Sequence, residues 1–255
     1  MQRYFITPDR FGTDRVSVTG DDAHHLTRVM RAQVGDKFIC SDGQNREALA
    51  EITQLGKDAV EAAIVELLPM TSEPAIQVWV AQSLPKGDKM ETVIQKGTEI
   101  GATRFIPFIS ERTIVQYDER KESKRLERWH KIAKEAAEQA HRNRIPVIEP
   151  MHSWKQLLRR AGDVQLALVC YEKEGQLQLR ELLRGALGRQ SVEPSDQHCV
   201  LLIVGPEGGF TEKEIAEAEE AGIKSISLGK RILRTETAAL VGVTCILYES
   251  GEMGG

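Results

Sequence analysis

The chain has 255 residues, 41% of them hydrophobic and 28% charged. That length and mixture fit a globular protein of two domains with core enough to need no disulfide or metal staple, and they argue against a disordered or membrane chain. A net charge of −4 argues against a protein coated in nucleic acid but leaves room for a local basic patch, since binding follows the charge at the phosphate contacts.

Residues 1–70 read as a small β-rich domain. Alternating runs at 36–41, 46–53 and 59–67 are separated by the turn signals Ser41-Asp42-Gly43 and Gly56-Lys57-Asp58. One short helix is predicted over 21–30, with Asp21 or Asp22 as its cap and Gly35 in its stop region. Pro69 and Pro74 then flank a polar stretch that marks a boundary, so a second domain spans 74–255. There, strand-like runs at 75–82, 104–109, 165–171, 199–204 and 225–228 alternate with helices at about 88–100, 121–140, 153–160, 177–183, 211–221 and 236–249. Such alternation predicts an α/β domain with a mostly parallel sheet covered on both faces. Residues 185–197 are the most loop-like segment.

The long helix carries Leu126, Trp129, Ile132, Ala133, Ala136, Ala137 and Ala140 at the spacing of one buried face. The window 120–144 holds nine lysines and arginines against four glutamates, an excess of five positive charges. Its end, Gln139-Ala140-His141-Arg142-Asn143-Arg144, carries basic and amide groups suited to phosphates, although a solvated face is the plainer explanation of such charge.

The longest apolar run, 238–247, is broken by Gly242 and Thr244 and is too short to span a bilayer. The first ten residues lack the apolar core of a signal peptide, so a cytoplasmic location is expected. Cys40, Cys170, Cys199 and Cys245 form no CxxC unit and read as buried free thiols. His24-His25 diverge on a helix with no third ligand at useful spacing, and no metal site is expected.

Two segments carry chemistry. In Ile203-Val204-Gly205-Pro206-Glu207-Gly208-Gly209-Phe210-Thr211 an apolar strand ends in a glycine-rich loop, and Thr211 with Glu214 completes a capping box for the next helix. Glycines there let a ligand approach the backbone at the carboxyl end of a strand. Taken alone, the loop is equally a structural tight turn. It matches neither GxGxxG nor GxxxxGK[ST], and Glu207 without a lysine makes a poor phosphate cradle, which weighs against a nucleotide-binding enzyme. In the second segment, Leu228-Gly229-Lys230-Arg231-Ile232-Leu233-Arg234-Thr235-Glu236-Thr237-Ala238, a strand again ends in glycine and a helix follows, with Thr235 as a possible cap. That helix is apolar almost all round, so it must be covered on several sides, within the fold or by a second subunit.

Together the two segments closely resemble the signature of the SPOUT methyltransferases and, within them, the RsmE family of 16S rRNA uridine-N3 methyltransferases. The resemblance extends to Leu84-Pro85-Lys86-Gly87-Asp88-Lys89-Met90-Glu91, to Gln95-Lys96-Gly97-Thr98-Glu99-Ile100-Gly101, to Glu111-Arg112, and to Ala137-Glu138-Gln139 with Arg142. It includes Arg3-Tyr4-Phe5, His24-His25-Leu26 and Val29-Met30-Arg31, so it covers essentially the whole chain. Some relatives have Gly in place of His141 and Leu in place of Met30.

The resemblance implies a PUA-like β-barrel for RNA in residues 1–70, a catalytic domain threaded as a trefoil knot, and a homodimer. It implies S-adenosylmethionine as the methyl donor and 16S rRNA of the small ribosomal subunit as the partner. Gly205, Glu207, Gly208, Gly209, Leu228, Gly229, Ile232, Leu233 and Thr235 are then expected to form the cofactor pocket. Uracil N3–H is weakly acidic, so its proton must leave or the charge growing on O2 and O4 must be stabilised; Arg234 and Arg142 are the candidates for the second task. No residue announces itself as the base, though Glu207 and Glu236 are available. Arg3, Arg28, Arg31, Lys86, Lys89, Lys96 and Arg112 are candidates for phosphate contacts. The rival readings are a relative acting on a ribose hydroxyl or another base, and a non-catalytic RNA-binding ribosome factor.

Overall fold

A computed structural model of the chain describes residues 1–115, 118–172, 179–187 and 198–254. They form two compact units, one of Met1–Glu73 with Ala137–Ile145, the other of Pro74–Ala136 with Pro146–Gly255. A single cut near residue 70 therefore misses that 137–145, at and beyond the end of the long helix, group with the N-terminal unit.

The first unit contains β1 (Arg3–Phe5), β2 (Arg15–Thr19), α1 (Gly20–His24), β3 (Lys37–Ser41), β4 (Glu47–Leu55) and β5 (Ala59–Leu68). The sheet order is β1-β3-β4-β5-β2, with β1 parallel to β3 and the other pairs antiparallel. Alternation along the strands sends Val16, Val18, Phe38, Cys40, Ala48, Ala50, Val60 and Ala62 into one core with Tyr4 and Leu26. The helix expected over 21–30 is regular only to His24. It then widens into a turn closed by Met30 N–H on the His25 carbonyl, while the Tyr4 hydroxyl meets His25 Nδ1 at 2.8 Å. β1 and β2 were not anticipated, because three and five residues give too little alternation to read.

Residues 137–145 join this unit through polar contacts. Glu47 accepts from both Arg3 and the Asn143 amide, and Phe5 N–H donates to Glu138 at 3.0 Å. Glu73 accepts from the Arg142 guanidinium and from the backbone N–H groups of Asn143 and Arg144.

The second unit runs β6 (Gln77–Ser83), α2 (Lys89–Ile100), β7 (Arg104–Ile109), α3 (Glu122–Gln139), β8 (Val147–Ile148), β9 (His152–Ser153), α4 (Trp154–Arg160), β10 (Leu166–Cys170), α5 (Leu179–Leu187), β11 (Cys199–Val204), α6 (Glu212–Glu220), β12 (Lys224–Ile226) and α7 (Thr235–Glu249). The last turn of α3 is counted with the first unit. The sheet order is β12-β10-β11-β6-β7-β8, with β9 also on β7, and every pairing is parallel. All strands therefore end at one edge. Central β11 is wholly buried, as its unbroken apolar run requires.

The predicted start of α5 at 177 lies outside the described residues, as do 188–197 of the expected loop; residues 185–187 are helical. Helix α7 buries Ala239, Val243, Ile246 and Leu247 and packs on β6, β11, α2 and α5, while Tyr248 is exposed and Leu240, Val241 and Thr244 are half-buried. No described helix is long and apolar enough to cross a membrane.

Candidate active site

Because the strands are parallel, the turns after β10, β11 and β12 converge. With the start of α7 they enclose a cavity of about 490 Å³ lined by segments 170–172, 204–207, 209–210 and 226–235, and by Lys89, Arg112 and Ala238. Each wall has a local cause. Gly209 takes a left-handed φ of 65° and its N–H closes a turn on the Pro206 carbonyl at 2.9 Å. Thr211 and Glu214 make the expected capping box of α6. The buried Glu214 carboxylate also accepts from Glu111 N–H at 2.8 Å, and Arg112 Nη1 donates to the Gly208 carbonyl at 2.9 Å, so the turn after β7 braces the glycine-rich loop. Gly229, at φ 112°, turns the chain at the opposite wall.

Thr235 does not cap α7. Arg234 is the N-cap, in extended backbone, and Thr235 is the first helical residue. Its buried hydroxyl donates to the Gly205 carbonyl at 2.6 Å and accepts from Gln82 Nε2 at 2.8 Å. A capping geometry would turn that oxygen to the helix amides; here it ties α7 to the end of β11. Gln82 is fully buried, and its Oε1 makes no hydrogen bond among the described residues.

One charged cluster stands in the cavity wall. Lys89 Nζ donates to Glu207 Oε1 at 2.8 Å and lies 3.5 Å from Glu236 Oε2, and Lys86 N–H reaches Glu207 at 3.2 Å. Burial pushes the Glu207 carboxyl up, but hydrogen bonds from Lys89 and from backbone amides outweigh it and hold the group below the usual carboxylate range. The hydrogen bond to Glu207 conversely raises the Lys89 ammonium above the usual lysine range. Burial pushes the Cys170 thiol up to about 12, so it stands in the lining as an inert group.

Of the residues expected to hold a cofactor, Gly205, Glu207, Gly209, Leu228, Gly229, Ile232, Leu233 and Thr235 line the cavity, together with Arg234. Gly208 stands behind it, against Arg112. Lys89 and Arg112, grouped in the sequence with phosphate contacts, line this same cavity. Lys86 and Lys96 are exposed, Lys96 paired with Glu99; Arg28 and Arg31 are exposed on the first unit, Arg31 at a left-handed φ of 52°. Arg3 and Arg142 depart from what was expected of them. Their side chains are 5% and 4% exposed and are held by Glu47 and Glu73 inside the first unit, away from the residues that line the cavity. The sequence reading missed Gln82, Phe210 and segment 170–172. Phe210 stood within the glycine-rich segment without a role of its own, and the only signal of Gln82 and 170–172 was a position at a strand end, where strand order is not readable locally. Among the described residues no three His, Cys, Asp or Glu side chains gather as a metal site.

This fold and edge site are those of an RNA methyltransferase domain: residues 71–247 match the family described by that name, and residues 18–65 match the RNA methyltransferase PUA domain. The ribosomal RNA small subunit methyltransferase E of Bacillus subtilis is 41% identical, covering 100% of this chain and 99% of that one. Its counterpart from Synechocystis is 36% identical over 96% of this chain and 76% of its own. The crystal structure of the same enzyme from Neisseria gonorrhoeae, bound to S-adenosyl methionine, is 32% identical, with a TM-score of 0.83 over 97% of each chain. The chain belongs to the ribosomal RNA small subunit methyltransferase E family.

Proposed function

We propose that this protein transfers the methyl group of S-adenosylmethionine to N3 of a uridine in 16S rRNA of the small ribosomal subunit. The observation that carries the reading is the meeting of the 204–210 loop and the 226–235 segment around one cavity at the carboxyl edge of a parallel sheet. The lining fits the cofactor. Ile226, Leu228 and Leu233 offer apolar surface for a flat purine, and glycines expose backbone polar groups beside it. At Gly205 an added Cβ would come 3.0 Å from the Phe210 ring, so a side chain there would press the ring back by a few tenths of an ångström.

The bound cofactor supplies an activated methyl on a sulfonium. The protein's task is to hold the acceptor in line with it and to manage the N3 proton. N3 lies on the Watson–Crick edge, so the base must be unpaired or flipped out to enter. The exposed Arg234 guanidinium, at the cavity rim, stands where it can stabilise negative charge growing on O2 and O4. Glu207 and Glu236 both face the Lys89 ammonium, and the hydrogen bond from Lys89 makes Glu207 a weaker base than a solitary carboxylate. Arg28, Arg31, Lys86 and Lys96 are exposed cations suited to RNA phosphates. A homodimer, with the outward side of α7 covered by the partner, agrees with half-buried Leu240, Val241 and Thr244. A knotted threading agrees with β10 lying between β11 and β12. The cytoplasm is the compartment in which such an enzyme meets assembling subunits.

The test is calorimetric titration with S-adenosylmethionine, followed by methyl transfer to small subunits and mapping of the modified base. Binding followed by N3-methyluridine is the expected result. Methylation of a ribose or of another base would overturn the N3 assignment, and failure of both binding and transfer would overturn the enzyme reading. In single-turnover kinetics Arg234→Ala is expected to lower the rate more than the RNA affinity; equal losses would make Arg234 a docking residue.

A further inference from the structure

We propose that Lys89 is a positioning residue of the cofactor cavity, its ammonium fastening the glycine-rich loop to the first turn of α7, and not an RNA phosphate contact. The inference rests on the cofactor reading above. Its basis is that the two carboxylates Lys89 meets belong to two different segments of the lining: Glu207 to the loop after β11 and Glu236 to α7.

Lys89 is the first residue of α2, where the helix dipole disfavours a cation. The two carboxylates are what make the position favourable. Glu236 Oε2 is out of water and makes no hydrogen bond among the described residues, with the ammonium 3.5 Å away. The three side chains are 28%, 29% and 18% exposed, so the cluster is partly dry and its charges are less screened than a surface pair. Without the ammonium, two like charges would be left facing each other across the pocket wall. Glu207 is further fixed by Lys86 N–H, so the clasp sets the backbone of the very loop that lines the cavity. An RNA phosphate would have to take the ammonium from two carboxylates already in place.

The test uses the full-length protein and two readouts without turnover: calorimetric affinity for S-adenosylmethionine, and the salt dependence of RNA affinity. Lys89→Gln is expected to weaken cofactor binding about tenfold, the loss of one charge-assisted hydrogen bond. Lys89→Arg should recover most of it. In a Glu207→Gln background Lys89→Gln should add less than about twofold, because coupled residues are not additive. The salt slope of RNA binding should stay as in the wild type. Unchanged cofactor affinity in Lys89→Gln, or a salt slope reduced by about one while cofactor binding is intact, would overturn the proposal. Glu207→Gln removes the same tie from the other side and serves if Lys89→Gln does not fold; normal cofactor affinity there overturns the proposal equally. Absence of binding by the wild type would overturn the cofactor reading and this inference together, whereas binding by the wild type and equal binding by the variants overturns the inference alone.

Discussion

Arg142 closes its guanidinium on the Glu73 carboxylate, Nη2 to Oε2 at 2.5 Å, with only 4% of the arginine side chain exposed. The same carboxylate accepts the backbone N–H of Asn143 at 2.9 Å and of Arg144 at 3.0 Å, so one glutamate gathers a whole turn of chain. Removing one partner of such a buried pair strands the other charge, at a cost of about 3–5 kcal/mol. Arg142→Ala is therefore expected to lower the melting temperature sharply while the affinity of the folded fraction for S-adenosylmethionine stays as in the wild type. A variant that melts normally but transfers no methyl group would return Arg142 to the reaction.

The basic turn at 139–144 shows what a sequence can and cannot convey. Its charge is visible, but charge alone does not say whether an arginine meets solvent, a phosphate or a buried carboxylate. Arg142 and Arg3 meet glutamates far away in the chain, and only tertiary structure brings those together. By contrast β7 and β11 were legible to the residue, because each is an apolar run bounded by turn signals. The Thr211–Glu214 box was legible too, since capping is decided within four residues. Most of the pocket could be named because its two motifs are contiguous in sequence. The Lys89 pairing with Glu207 and the place of Gln82 were not legible for the opposite reason: their partners lie on segments whose neighbours depend on sheet order.

Thr235 supplies a second prediction. Its hydroxyl satisfies the Gly205 carbonyl and the Gln82 amide at once in a buried place. Thr235→Val keeps the shape but removes the 2.6 Å donor of the Gly205 carbonyl and leaves Gln82 Nε2 with the Ser83 carbonyl at 3.0 Å, so a loss of about 1–2 kcal/mol in denaturant unfolding is expected. Cofactor affinity should fall with it, because Gly205 and Thr235 both line the cavity. Thr235→Ser, which keeps the oxygen, should stay near the wild type. If valine and serine behave alike, the hydroxyl has no role.

Gly242 lies inside α7, where alanine would ordinarily stabilise a helix by about 0.5–1 kcal/mol. Here an added Cβ would come 2.4 Å from Leu202 Cδ2, and Leu202 is fully buried in β11, so the side chain or the helix must shift. Gly242→Ala is expected to reverse the usual sign and destabilise the protein by about 1–3 kcal/mol in equilibrium unfolding. A stabilised variant would mean that α7 can lift off the sheet without cost.

The Glu207 clasp gives a prediction in pH. Its carboxyl is held below the ordinary value of 4.5, with burial opposed and outweighed by the Lys89 hydrogen bond and backbone amides. A depressed carboxylate binds fewer protons folded than unfolded, so it contributes stability above its unfolded value and loses that contribution as pH falls through the folded one. The stability difference between wild type and Glu207→Gln should therefore be flat from about pH 7 down to about pH 5 and shrink only below 4.5. Unfolding measured across that range checks the sign. A difference that grows as the solution is acidified would mean that the folded state holds Glu207 protonated, and that the Lys89 contact does not keep it charged.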